Sequence, residues 1–131
     1  MFVDASALTA TLTDEEDARA LVARLQQARH RITSPLAVWE TSVAVARRLD
    51  LPLRDAHEAV QEYLVLVGIQ VLAVPPKAAE DAMDAFDRYG KGRHKAALNF
   101  GDCFASACAR YYRAPLLYKG DEFTHTDIES A

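Results

Sequence analysis

Carboxylates set in apolar surroundings are the side chains of this chain that call for chemistry. Between Lys95 and Arg110 the only charged side chain is Asp102, and the rest of that stretch is Ala, Leu, Phe, Cys, Gly, Ser and Asn. A helix apolar nearly all round belongs inside a domain. An ionised carboxylate there is costly unless a cation or several hydrogen-bond donors meet it. Asp4 closes the apolar run Phe2-Val3, and Asp121 follows Leu116-Leu117-Tyr118 across a short Lys119-Gly120 link. Glu40 stands four after Leu36 and three before Val43, inside what reads as the apolar stripe of a helix. Two carboxylates about 4 Å apart repel by about 4 kcal/mol at an effective dielectric of about 20, so such a cluster requires protonation of some members or a cation. An all-carboxylate set suits Mg2+ or Mn2+ and not zinc. Mg2+ takes one or two protein carboxylates, keeps several waters and completes its shell with substrate phosphate. The chemistry such a set supports is metal-assisted phosphodiester hydrolysis, in which an activated water attacks phosphorus.

Each acid also has an ordinary reading. Asp4 fits a helix N-cap, Asp102 a first-turn acid favoured by the helix dipole, and Asp121 a Gly-Asp turn. Glu40 is within reach of a salt bridge to Arg47 or Arg48. A second feature with chemical meaning is the loop Lys91, Arg93, His94 and Lys95, beside Tyr89 and just upstream of Asp102, which could meet RNA phosphates and stack a base. As a bare charge run it is equally a solvated loop, and His94 is neither a convincing general base nor a metal ligand.

The elements that must position these residues alternate. Phe2-Val3 reads as a buried strand with Asp4 at its C-terminal end, feeding a turn or helix. Thr13 to Glu16 fits a capping box ahead of an amphipathic helix carrying Ala18, Leu21, Val22, Leu25 and Ala28, closed by Arg29-His30-Arg31. Ile32-Thr33 is a brief strand. Ser34 as N-cap and Pro35 at the first helical position open a helix whose apolar stripe is Leu36, Trp39, Val43 and Ala46 and which stops near Asp50. Leu53, Ala56, Val60, Leu64 and Val67 mark the next helix, ended by Gly68. Ile69 to Val74 is a strand terminated by Pro75-Pro76. Ala79, Ala82, Met83, Phe86 and Tyr89 make another amphipathic helix, with Met83 and Tyr89 serving the core or a dimer face. A helix from Asn99 to about Tyr112 and a last strand over Leu116-Leu117-Tyr118 follow, then a short polar tail from Glu122 to Ala131. Trp39, Phe86, Phe100 and Phe104 are expected in the core. The alternation predicts one α/β domain over residues 1–131, three-layered, with a mainly parallel central sheet flanked by helices.

The 131 residues are 50% hydrophobic, enough for a real core, with a net charge of -4 that argues against broad coating of nucleic acid. No run reaches the roughly 18 apolar residues of a membrane span, and the N-terminus lacks the regions of a signal peptide, so a cytoplasmic location is expected. Cys103 and Cys108, five apart on one predicted helix, face different ways and read as small core residues of a reducing compartment. No Ser or Cys sits in a nucleophile elbow.

The motifs in order carry a resemblance. Phe2-Val3-Asp4-Ala5-Ser6-Ala7, then Ser34-Pro35 with Glu40 on its helix, the block Leu98-Asn99-Phe100-Gly101-Asp102-Cys103, and Leu117-Tyr118-Lys119-Gly120-Asp121-Glu122-Phe123 with Thr126-Asp127-Ile128 together resemble PIN-domain ribonuclease toxins of the VapC type. The match runs through nearly the whole chain. It implies the toxin of a type II toxin-antitoxin pair: a Mg2+-dependent endoribonuclease, Mn2+ substituting, that is usually a homodimer and is held inactive by a VapB-like antitoxin. By position, Asp4 and Asp102 match the principal metal ligands, and Glu40 and Asp121 the other two acids, binding metal directly or through water. Ser6 matches a hydroxyl that orients the first acid, and Asp127 an acid sometimes near the site. The final acid pair is Asp121-Glu122 where many relatives have two aspartates. Two alternatives belong to other classes. One is a catalytically silent PIN-fold partner, which should have lost at least one acid. The other is a receiver-like phosphorylation switch with Lys119 as its lysine, which should carry an adjacent acid pair early in the chain.

Overall fold

The computed structural model describes residues 1–131. Its centre is β1 (Phe2–Val3), with α1 (Ala5–Leu12) and α2 (Ala18–Gln27) leading to β2 (Arg31–Thr33). From there α3 (Pro35–Leu49) and α4 (Leu53–Val67) lead to β3 (Ile69–Val71), and α5 (Ala78–Tyr89) and α6 (Phe100–Tyr111) to β4 (Leu116–Leu117). A single 3₁₀ turn, Glu122–His125, follows. The strands are ordered β3-β2-β1-β4, all parallel, with Phe2 opposite Ile32 on one side and Leu116 on the other. Strand order reverses at β1, since β2 and β3 add on one side and β4 on the other. In open parallel sheets the crevice at such a switch point, beyond the carboxyl ends of the strands, is where ligands bind.

The period-2 alternation of short buried strands sorts the core into two layers. Phe2 and Leu116 face a cluster built with Ala82, Ala85, Cys103, Ala107 and Cys108 of α5 and α6, whereas Val3 and Leu117 face Leu8, Leu21, Leu25, Val45, Val60 and Leu64 of α1 to α4. The small residues of α6, Ala105, Ser106, Ala107 and Ala109, are all buried and let that helix lie close to the sheet.

Several elements differ from expectation for identifiable reasons. Thr13 does not open a helix. It closes α1, its Oγ1 donating to the Thr9 carbonyl (2.8 Å), and Asp14 then takes a left-handed φ of 51°. The Thr13–Glu16 capping box does not form, because the Thr13 hydroxyl turns back into α1 while Glu16 is exposed, and α2 begins only at Ala18. Ser34 and Pro35 do cap α3, Ser34 Oγ accepting from the Ala37 N–H (3.2 Å). The buried face of α3, however, is Ala37, Thr41, Ser42 and Val45, and Trp39 is 65% exposed. Thr41 and Ser42 are buried at low cost because their hydroxyls donate to the carbonyls of Ala37 (2.7 Å) and Val38 (2.8 Å). Phe86 and Phe100, expected inside, are 40% and 67% exposed. Strand β3 is shorter than the run Ile69 to Val74, and the polar tail is tied down, the Leu116 N–H donating to the Glu129 carbonyl (2.8 Å) with Phe123 buried.

Candidate active site

A cleft of about 400 Å³ opens at the switch point, and its walls include Asp4, Glu40, Asp102 and Glu122 together with Glu15, Arg48 and Lys119. Asp4 leaves β1 in extended conformation and caps α1. Its N–H donates to the Leu117 carbonyl (2.9 Å), which ties the end of β1 to β4. Its Oδ2 accepts from both the N–H (3.0 Å) and the hydroxyl (2.5 Å) of Ser6, and Ser6 Oγ in turn accepts from the Lys119 N–H (3.0 Å). Asp4 is thus oriented from two strands. The residue is only 4% exposed. Burial raises its pKa, the Ser6 hydrogen bonds oppose the rise, and the charge of Glu122 adds to it.

Asp102 arrives from α6 through a reciprocal cap. Asn99 Oδ1 accepts from the Asp102 N–H (2.9 Å) and Asp102 Oδ2 accepts from the Asn99 N–H (3.0 Å). Asp102 is thus the first-turn acid of α6 that its sequence position allowed, and it also stands in the cleft wall. Burial pushes its carboxyl up to about 6; the Asn99 N–H pulls the other way, and Asp4 and Glu122 push further. Glu40 projects from the middle of α3 onto the backbone of α6, where a Cβ added at Gly101 would collide with both carboxylate oxygens. Burial, then the charges of Asp4 and Asp102, push Glu40 up to about 7. Arg48 does not neutralise it, being paired with Glu15 (2.6 Å). None of the ion pairs of the protein takes in Asp4, Glu40, Asp102 or Glu122.

The acid that the last turn brings to the cleft is Glu122 rather than its neighbour. Gly120 takes φ 103°, and the turn it permits carries Glu122 into the cleft wall. Asp121 is exposed at the start of the 3₁₀ turn, its carbonyl accepting from the Thr124 N–H (3.1 Å), and lies outside the lining. Asp127 is also elsewhere: it pairs with Arg88 (3.4 Å) and Arg110. Burial works against its ionisation, but Arg110 and Arg88 outweigh it and hold the carboxyl below its ordinary range. Lys91, Arg93 and Lys95 do not line the cleft either. Arg93 is engaged by Asp87 (3.1 Å) and lies over the Phe86 ring, and His94 Nδ1 accepts the Ala96 N–H (3.0 Å) to shape its own loop. The thiols of Cys103 and Cys108 are pushed up to about 11 by burial, which leaves neither as a thiolate nucleophile.

The donor set fits a hard divalent cation. It consists of oxygens only, three of its carboxyls are raised by burial and then by neighbouring acids of the cleft, and no protein cation pairs with them. No three side chains form a ready cage for an ion, as befits a metal that takes one or two carboxylates directly and fills its shell with water and substrate.

A parallel α/β sheet with carboxylates gathered at its switch point is the plan of an acid-site nuclease, and the comparisons agree. The family model described as PIN domain matches residues 1–129. A VapC ribonuclease of Mycobacterium bovis is 38% identical over 128 residues, covering 98% of this chain and 95% of its own length. A VapC ribonuclease of Rhizobium meliloti is 35% identical over 140 residues, covering 97% and 98%. The crystal structure of VapC20 of Mycobacterium tuberculosis, a toxin that cleaves the sarcin-ricin loop, shares the fold with a TM-score of 0.76 at 17% identity, covering 99% of this chain and 97% of that one. The chain belongs to the PIN-domain family, among the VapC-type ribonucleases.

Sequence reasoning had no means of finding Glu15 and Arg48 as cleft residues. Glu15 meets Lys119 across a separation of 104 positions, which no local pattern encodes.

Proposed function

We propose that this protein is the toxin of a type II toxin-antitoxin pair, a Mg2+-dependent endoribonuclease that hydrolyses RNA phosphodiester bonds at the Asp4, Glu40, Asp102 and Glu122 cleft. The observation that carries the reading is that buried Asp4 and half-buried Glu40 and Asp102 line one cleft, each raised by burial and by a neighbouring acid, and none of them in an ion pair. Asp4 and Asp102 would hold the ion, Glu40 and Glu122 would hold it directly or through water, and Asp121 lies outside the cleft lining. The cation, when bound, supplies the Lewis acidity that lowers the pKa of a water and offsets charge on the leaving oxygen. Ser6 fixes which oxygen of Asp4 is left free, since Oδ2 already accepts two hydrogen bonds. Asn99 does the same for Asp102.

The same reading includes partners: an RNA substrate, a VapB-like antitoxin that lays a segment across the acidic edge and sets an arginine among the carboxylates, and a second copy of the chain. Exposed Trp39, Met83 and Phe100, at 65%, 65% and 67%, are the apolar side chains that support protein partners. No helix is long and apolar enough to cross a membrane. The test is cleavage of a labelled structured RNA in Mg2+ or Mn2+, against chelator and an Asp102→Asn variant purified in parallel. Cleavage that needs the metal and falls at least about 100-fold in the variant supports the reading. Equal cleavage by both proteins contradicts it.

A further inference from the structure

The cleft carries five carboxylates, those of Asp4, Glu15, Glu40, Asp102 and Glu122, against two cations, Arg48 and Lys119. An RNA backbone approaching it meets repulsion except at a bound metal and at those two side chains. We propose that Lys119 and Arg48 grip an RNA phosphate flanking the scissile one, and that Glu15 is the positioning residue that holds both cations in place until the phosphate displaces its carboxylate.

Three observations carry this. Glu15 is the common partner of both cations, its Oε1 meeting Lys119 Nζ and its Oε2 meeting Arg48 (2.6 Å), so a single anionic group already sits between them where a phosphate would. Each cation is tied to an acid of the cleft, Arg48 by sharing α3 with Glu40 and Lys119 through the backbone of the loop after β4. The Lys119 N–H donates to Ser6 Oγ (3.0 Å), and Ser6 Oγ donates to Asp4. Glu40, Ala44 and Arg48 follow at helical spacing along α3, all in the cleft wall, which sets Arg48 about 12 Å along the helix axis from Glu40. That offset suits a neighbouring phosphate rather than the reacting one. Finally, the ion pairs are partly exposed, with side-chain exposures of 21% for Glu15, 34% for Lys119 and 50% for Arg48. Pairs of this kind are weakly held and exchange readily for a phosphate, to which guanidinium and ammonium groups both bond strongly. Asp17, 3.5 Å from Lys119 Nζ, stays with the lysine and limits how far it swings.

The inference rests on the nuclease reading but is tested separately, by binding without turnover. The full chain is titrated onto a fluorescein-labelled single-stranded RNA in chelator at several KCl concentrations, followed by anisotropy, and kcat and KM are then measured in Mg2+. Lys119→Gln and Arg48→Gln are expected to weaken binding about five- to tenfold each and to flatten the salt slope by about 0.7 each, while Lys119→Arg retains the slope. Their loss in turnover should fall mainly on KM. Glu15→Gln, which frees the two cations, should tighten binding about threefold. Three results would overturn the proposal: wild-type affinity and slope in Lys119→Gln and Arg48→Gln, weakened binding in Glu15→Gln, or no salt-dependent binding by the wild type. Failure of the wild type to cut RNA in Mg2+, with the binding pattern intact, would instead count against the nuclease reading alone.

Discussion

Burial raises the carboxyls of Asp4, Glu40 and Asp102 before any neighbour is counted, and each then feels at least one further acid. The fourth member is decided by one turn. Gly120 at φ 103° brings Glu122, not Asp121, to the cleft, and its charge is felt by both Asp4 and Asp102. Glu122→Gln is therefore expected to cut RNA cleavage about 10- to 100-fold, the usual cost of losing a group that supports a metal site, and Asp121→Asn is expected to cost less than about threefold. Single-turnover rates of the two variants at saturating Mg2+ check this. A larger loss in Asp121→Asn than in Glu122→Gln would return Asp121 to the site.

At the scale of elements, the cleft depends on how closely α3 crosses the first turn of α6. Glu40 lies against Gly101, with no room for a Cβ. A helical Gly→Ala change ordinarily stabilises by up to about 1 kcal/mol. Gly101→Ala should instead push the Glu40 carboxylate aside, lowering cleavage about 100-fold while the helical circular dichroism is kept. Wild-type activity in that variant would show that Glu40 has no fixed place. Much of this layer was legible in the sequence. Ser34-Pro35 is a local signal with a direct geometric meaning, and the short apolar runs marked the alternation of strands and helices. The face of α3 was not legible, because Thr41 and Ser42 satisfy their hydroxyls on the helix backbone and are buried like apolar residues, which leaves Trp39 outside. Nor was the failure of the Thr13–Glu16 box, since the Thr13 hydroxyl turns back onto the Thr9 carbonyl and closes α1 instead.

The whole molecule has a pH dependence set by its site. Glu40 and Asp102 have ordinary values of 4.5 and 3.8 and folded values of about 7 and about 6. Between those limits the folded state binds more protons than the unfolded one, so stability without divalent metal falls as pH rises from about 4 to about 7. Thermal melting in chelator should show a lower midpoint at pH 8 than at pH 5.5, and Mg2+ should raise the midpoint more at pH 8, where the carboxylates are free of protons. An unchanged midpoint across this range would mean that the acids are not coupled to folding. The fold and the family follow from the whole chain, whereas the proposed metal centre rests on four side chains, and the most direct test is therefore to count bound ions. Electron paramagnetic resonance of free Mn2+, titrated with wild type and with an Asp4→Asn, Asp102→Asn double variant, measures this without any RNA. Loss of the free-ion signal with wild type and its retention with the double variant is the predicted result. Equal depletion by both proteins would place the metal elsewhere and contradict the account.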